Sequence, residues 1–321
     1  MTYVTQGLIQ PADYSNRINT LNTIWAAGGG DTGYGQSPLS GVVSGELVTA
    51  NQWFGLFNTI ELASLQQGTP ILSMPTPTTG SLVTAIGNVD TNLVSINNRR
   101  LYAAANGPQY TAWTGVNSQT APSGTGPWTL TFNSQVLWTS INAARFFFNG
   151  GGRIKIETSK TSTGLLGDAD WNNLASTLMG DIYITAGNTS GYSIAGQTYF
   201  GVDKVGGTGT PSVLVSNAGW YQLTPAAAFT TVYQQFSNTA PYNNNSIRVR
   251  ISKSASQTQL NISVIWDNRE GDPISGGSAA VGATPGTAPC TVVTYFPPST
   301  TYITNTWGVP TVTGSVSLTF G

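Results

Sequence analysis

Three acidic residues, Asp168, Asp170 and Asp181, come closest in this sequence to a catalytic carboxylate set. A glycosidase needs two carboxyls about 5–10 Å apart across a cleft, one giving a proton and one attacking or activating water. Spacings of two and eleven residues do not define such a pair. The plainer expectation is that Asp168 or Asp170 caps a helix running from Trp171 to Met179, and that Asp181 opens a strand. Asp267-Asn268-Arg269-Glu270-Gly271-Asp272 gathers oxygen ligands as a calcium loop would, but it lacks the alternating Asp and distal Glu of an EF-hand and reads as a solvated turn. Asn149-Gly150-Gly151-Gly152 is Gly-rich enough for a phosphate loop. It leads into Arg153-Ile154-Lys155, a strand pattern, rather than Gly-Lys-Ser/Thr and a helix, so the amide cradle and helix dipole that hold phosphate are missing.

The chain has no His and one Cys, Cys290, which leaves no intrachain disulfide, no imidazole acid–base chemistry and no familiar transition-metal set. The aromatics Trp113, Trp128, Trp138, Trp171, Tyr192, Tyr199, Trp220, Tyr221, Tyr233 and Tyr242 could stack on sugars, although Trp and Tyr serve equally as core or interface residues. The sequence therefore points to no catalytic residue, no cofactor-binding residue and no metal ligand.

The surface chemistry is unusual. Only 8% of the 321 residues are charged, whereas 39% are hydrophobic, against roughly 25% charged in ordinary soluble domains. Such a surface, filled with Gly, Ser, Thr and Asn, suits packing against neighbours more than free diffusion. A net charge of −1 argues against nucleic-acid and membrane-surface binding. Charge is unevenly spread: residues 1–98 carry a net of −4 and residues 99–160 a net of +5, so the two segments could meet within the subunit or across an interface. MTYVTQGLIQPADY shows no signal-peptide pattern, and no apolar run is long enough to span a membrane.

The elements that would position these groups fall into two styles. Tyr14, Ile18, Leu21 and Trp25 mark one face of a helix that starts at Pro11 and ends at Gly28–Gly30. Thr49 and Gln52 form a capping box for a second helix running to Gly68, and Ile86, Val89, Leu93 and Ile96 mark a third from Leu82 to Asn98. A shift of 39 residues aligns Tyr14–Leu21 with Trp53–Ile60, which would make the first two helices a duplicated pair. After Arg100 the period becomes two, as in Trp128–Phe132, Arg153–Glu157, Asp181–Ile184, Ile247–Ile251, Leu260–Trp266 and Ser317–Phe320, with residues 270–291 expected as a long loop. The expected fold is α+β: a helical docking and oligomerisation module over residues 1–105, followed by an antiparallel β-sandwich-like body over 106–321.

Several segments resemble a known family. Ala12-Asp13-Tyr14-Ser15-Asn16-Arg17-Ile18-Asn19, Gly33-Tyr34-Gly35-Gln36, Val48-Thr49-Ala50-Asn51-Gln52-Trp53 and Asn142-Ala143-Ala144-Arg145-Phe146-Phe147-Phe148-Asn149-Gly150-Gly151-Gly152-Arg153-Ile154 look like stretches of virion structural proteins of contractile-tailed bacteriophages. Tyr242, Ile247 and the Leu260–Asp267 strand fit in the same order. The resemblance implies a non-enzymatic subunit of the neck, collar, whisker or tail fibre, synthesised in a bacterial cytoplasm and carried in the virion. Its partners would be copies of itself and other virion proteins, with a host-surface glycan as the alternative. The Asn142–Arg153 stretch is expected to form a short Phe-rich helix or turn under the sandwich, its glycines allowing close backbone approach.

Overall fold

A computed structural model describes residues 10–78, 85–111, 127–160, 166–269 and 289–320. Three helices come first: α1 (Pro11–Trp25), α2 (Ala50–Gln67) and α3 (Ile86–Asn98). Pro11 occupies the first turn of α1, where a missing N–H costs nothing. Gly68, at φ +65, ends α2 in the left-handed conformation. The part of the third predicted helix before Ala85 lies outside the described residues. The 39-residue repeat reaches into the packing: Tyr14 and Trp53, Ile18 and Phe57, and Leu21 and Ile60 are all buried. Tyr14 meets Trp53 edge-on with ring centroids 5.2 Å apart and donates its hydroxyl to the Gln52 carbonyl. The helix starts obey the same shift, since Asp13 accepts the Gln10 amide as Gln52 accepts the Thr49 amide.

The rest of the described chain is sheet-rich. In order follow β1 (Tyr110–Thr111), β2 (Trp128–Leu137), α4 (Ile141–Asn149), β3 (Arg153–Ser159), α5 (Leu166–Asn172) with a π-helical turn (Asn173–Leu178), and β4 (Asp181–Ile184). Then come β5 (Tyr192–Ile194), β6 (Gln197–Tyr199), β7 (Val202–Val205), β8 (Val213–Leu214), β9 (Thr230–Phe236), β10 (Ser246–Lys253), β11 (Gln259–Asn268), β12 (Cys290–Phe296) and β13 (Thr311–Phe320). One sheet runs β1-β12-β3-β4-β7, a second runs β13-β2-β11-β10-β9-β8, and β5 and β6 form a small hairpin. The strand pairs of all three sheets are antiparallel, and the fold is α+β as expected.

Period two decides which way each sheet faces. On β2, Trp128, Leu130, Phe132, Ser134 and Val136 are buried while Gln135 and Leu137 are exposed. In register beside them, Leu260, Ile262, Val264 and Trp266 of β11 continue the buried face. Trp171 of α5 packs against Trp128 and Trp266, with centroids 5.2 and 5.5 Å away, and the Trp266 indole N–H reaches Thr291 of the other sheet. The hydrophobic core is continuous across the division expected near residue 105, joining α1–α3 to both sheets. Hydrogen bonds cross it as well: Gln36 exchanges bonds with Thr304 in both directions, and Thr306 donates to the Tyr34 carbonyl. The opposite charges of the two N-terminal segments meet in the Arg100–Asp31 ion pair.

Three boundaries differ from the sequence expectation. The helix around Trp171 begins at Leu166, so Asp168 lies in its first turn and Asp170 inside it, and neither is its N-cap. The expected loop 270–291 overlaps β12, because Cys290 and Thr291 pair with Ser159 and Thr158; residues 270–288 lie outside the described residues. The last strand starts at Thr311 rather than Ser317, its alternation being carried by Thr, Ser and Gly as much as by apolar residues.

Candidate functional site

The three acids singled out by sequence are each engaged by this chain's own groups. Asp168 forms a deeply buried ion pair with Lys160. Asp170, also buried, accepts a short hydrogen bond (2.5 Å) from the Ser237 hydroxyl at the end of β9. Asp181 starts β4 as expected, and its carboxylate lies 3.9 Å from the Lys155 ammonium, which also pairs with Glu157 at 2.8 Å. Asp267 belongs to β11, where it accepts from Arg248 and Arg269; Glu270, Gly271 and Asp272 lie outside the described residues.

Burial raises the Asp170 carboxyl from 3.8 to about 6, and the Ser237 and Thr239 hydrogen bonds oppose that rise. The folded state therefore holds this proton more tightly than the unfolded chain does. Stability is thus expected to increase as pH falls from about 6 towards 4, and Asp170→Asn is expected to flatten that part of the profile. Thermal unfolding followed across this pH range checks it; an identical slope in the variant would assign the dependence elsewhere.

The stretch Asn142–Ile154 folds into a hub. Ser140 caps α4 by accepting the Ala143 amide, and Phe147 and Phe148 pack against Trp138 and Trp220. Arg145 donates to the carbonyls of Ala27, Gly30 and Thr32 in the Gly-rich link after α1. Asn149 donates to the Thr32 and Gly33 carbonyls and accepts the Tyr221 hydroxyl at 2.7 Å. Gly151 sits at φ +98, and a Cβ there would lie 2.5 Å from the Ala103 methyl group, so the expected close approach is present. The Gly run leads into β3 and offers no helix N-terminus to a phosphate.

One feature escaped the sequence reading. The Arg153 guanidinium is buried above Phe296, Tyr183 and Tyr199, 4.5–5.7 Å from their ring centroids, and donates to Asn106. Burial lowers its pKa, opposed by the phenols of Tyr199, Tyr183 and Tyr192. The strand alternation Arg153-Ile154-Lys155 gave the period but not the ring cage, whose three rings come from β4, β6 and β12.

Most of the aromatics proposed as a sugar platform are interior. Trp128, Trp138, Trp171, Trp220, Tyr192, Tyr199, Tyr233 and Tyr242 are buried, Tyr221 is half-buried with its hydroxyl given to Asn149, and Trp113 lies outside the described residues. What reaches the surface is different chemistry. On the outer side of β13, Thr311, Thr313, Ser315, Ser317 and Thr319 are exposed. They stand opposite Leu137, Gln135, Asn133, Thr131 and Thr129 of β2, so the two strands present hydroxyls, amides and one Leu, and no charge. A separate polar cleft of about 430 Å³ is lined by Thr208, Thr210, Ser212, Gln235, Phe236 and Asn238 among others. A shallower groove of about 350 Å³ lies between α1 and α3, around the Arg17–Asp90 ion pair. None of Asp168, Asp170 and Asp181 lines either one.

No family model, curated protein or solved structure matches this chain.

Proposed function

We propose that this chain is a non-enzymatic structural subunit of a tailed-bacteriophage virion, working in the neck, collar, whisker or fibre by associating with copies of itself and docking to other virion proteins. The observation that carries this reading is the uncharged hydroxyl-and-amide face of β13 and β2. Such a face lacks the charge that keeps freely diffusing proteins apart, and it loses little on desolvation when hydroxyls and amides meet partners of the same kind. The motif segments add to it. The polar groups of Arg145 and Asn149 hold this chain's own loops together, which is a scaffold's use of them.

Antibody against the chain, applied to purified particles of the phage whose genome carries the sequence, is expected to label one fixed site on the tail or neck. Particles that contain none of the chain would refute the reading. A receptor- or glycan-recognising fibre or decoration protein is the second reading, favoured by the polar cleft whose lining joins hydroxyls and amides to one aromatic residue, Phe236. Saturable adsorption of the purified chain to host cells, lost in Asn238→Ala, would select that reading over the first.

A further inference from the structure

Among the described residues the two larger sheets end in four edges, and three of them are poor templates for further pairing. β1 and β8 are two residues long, and β7 spans four residues with Asp203 and Lys204 among them. Proteins blunt exposed edges by shortness, charge, proline or bulges, because a bare edge recruits another strand. β13 has none of these. It is ten residues long, contains no charged residue and no proline, and pairs with β2 over its whole length without a register shift. Among the described residues nothing pairs with its other side, and five of its side chains on one face are exposed.

We infer that β13 is the surface through which two copies of this chain associate, strand beside strand and antiparallel, so that the two six-stranded sheets become one. This rests on the subunit reading above and gives it a specific contact. A second copy is the occupant because β13 is complementary to itself. A two-fold axis at Ser315 sets Thr311 opposite Thr319 and Thr313 opposite Ser317 on the outer face. The same axis sets Val312 opposite Leu318 and Gly314 opposite Val316 on the inner face. Hydroxyls meet hydroxyls, apolar groups meet apolar groups, and the missing side chain of Gly314 leaves room for Val316. Val312, Val316 and Leu318 are only partly buried by their own core, so pairing also covers apolar surface left open in the single copy. The absence of charge on either strand means that no like pair opposes the contact.

The mass of the full chain in solution tests this. The wild type is expected at twice 33.6 kDa. T313K/S317K changes two exposed positions that face each other across the axis, and it is expected to run as a single chain with a dissociation constant at least about tenfold weaker. T313E/S317E should behave alike. An equimolar mixture of the two variants should recover the doubled mass, a result that requires both to be folded. A wild type that stays single at about 100 µM, an odd-numbered oligomer, or an assembly untouched by T313K/S317K would overturn the edge contact. The subunit reading would survive any of these, because it stands or falls on the presence of the chain in particles.

Discussion

Lys160→Met is expected to destabilise the fold by about 3–5 kcal/mol, the first of two large losses expected from single side chains. Lys160 and Asp168 form an ion pair whose side chains are 2% and 0% exposed. Two charges in so dry a place tolerate each other because each offsets the other's lost hydration. Met fills a similar volume but carries no charge, so the variant strips a fully buried carboxylate of its ammonium. The loss appears as a lower denaturant midpoint at unchanged slope. Adding Asp168→Asn removes the charge that has lost its ammonium and is expected to recover part of the loss, whereas Asp168→Asn alone takes the carboxylate from the buried ammonium and costs as much as the first variant. A Lys160→Met protein within about 1 kcal/mol of wild type would mean that the pair is not dry.

Trp171→Ala is the second, at about 3–5 kcal/mol. Trp171 is fully buried between Trp128 and Trp266, on two strands of one sheet, while the π-helical turn that follows it packs towards β3 of the other, where Thr158 donates to the Ala175 carbonyl. Removing the indole opens a cavity where three large rings meet, and closely packed walls relax only partly into such a space. Trp171→Phe gives the sharper contrast. Among the described residues the Trp171 indole N–H has no hydrogen-bond partner, so Phe keeps an aromatic ring and removes a buried, unsatisfied donor. It is expected to cost less than half as much as Ala, by equilibrium unfolding. Equal losses for the two variants would place the stabilisation in the indole edge rather than in the filled volume.

Residue pattern alone carried much of this architecture. Tyr14, Ile18 and Leu21, with the capping box at Thr49 and Gln52, specify α1 and α2 because helix period and end-capping are local properties of ten to twenty residues. Alternation likewise specifies β10 and β11, where the polar turn Ser254–Thr258 leaves one way for the strands to meet. The hub at Asn142–Ile154 was legible as Phe-rich and Gly-rich, though its partners were not. Ala27, Thr32, Ala103 and Tyr221 lie far away in sequence, and no local rule brings them to it.

The start of α5 was misplaced for a related reason. Asp168 and Asp170 look like caps, since short polar side chains favour helix starts, but Lys160 just upstream pairs with the first and Ser237, from the end of β9, donates to the second. By itself the sequence determined the kinds of element, their order and an almost charge-free surface, because these depend on neighbours along the chain and on composition. Which aromatics became core, which carboxylates found a cation, and which long strand was left at a sheet edge were decided only by tertiary structure. Burial and pairing depend on segments that meet in space after long separations in sequence.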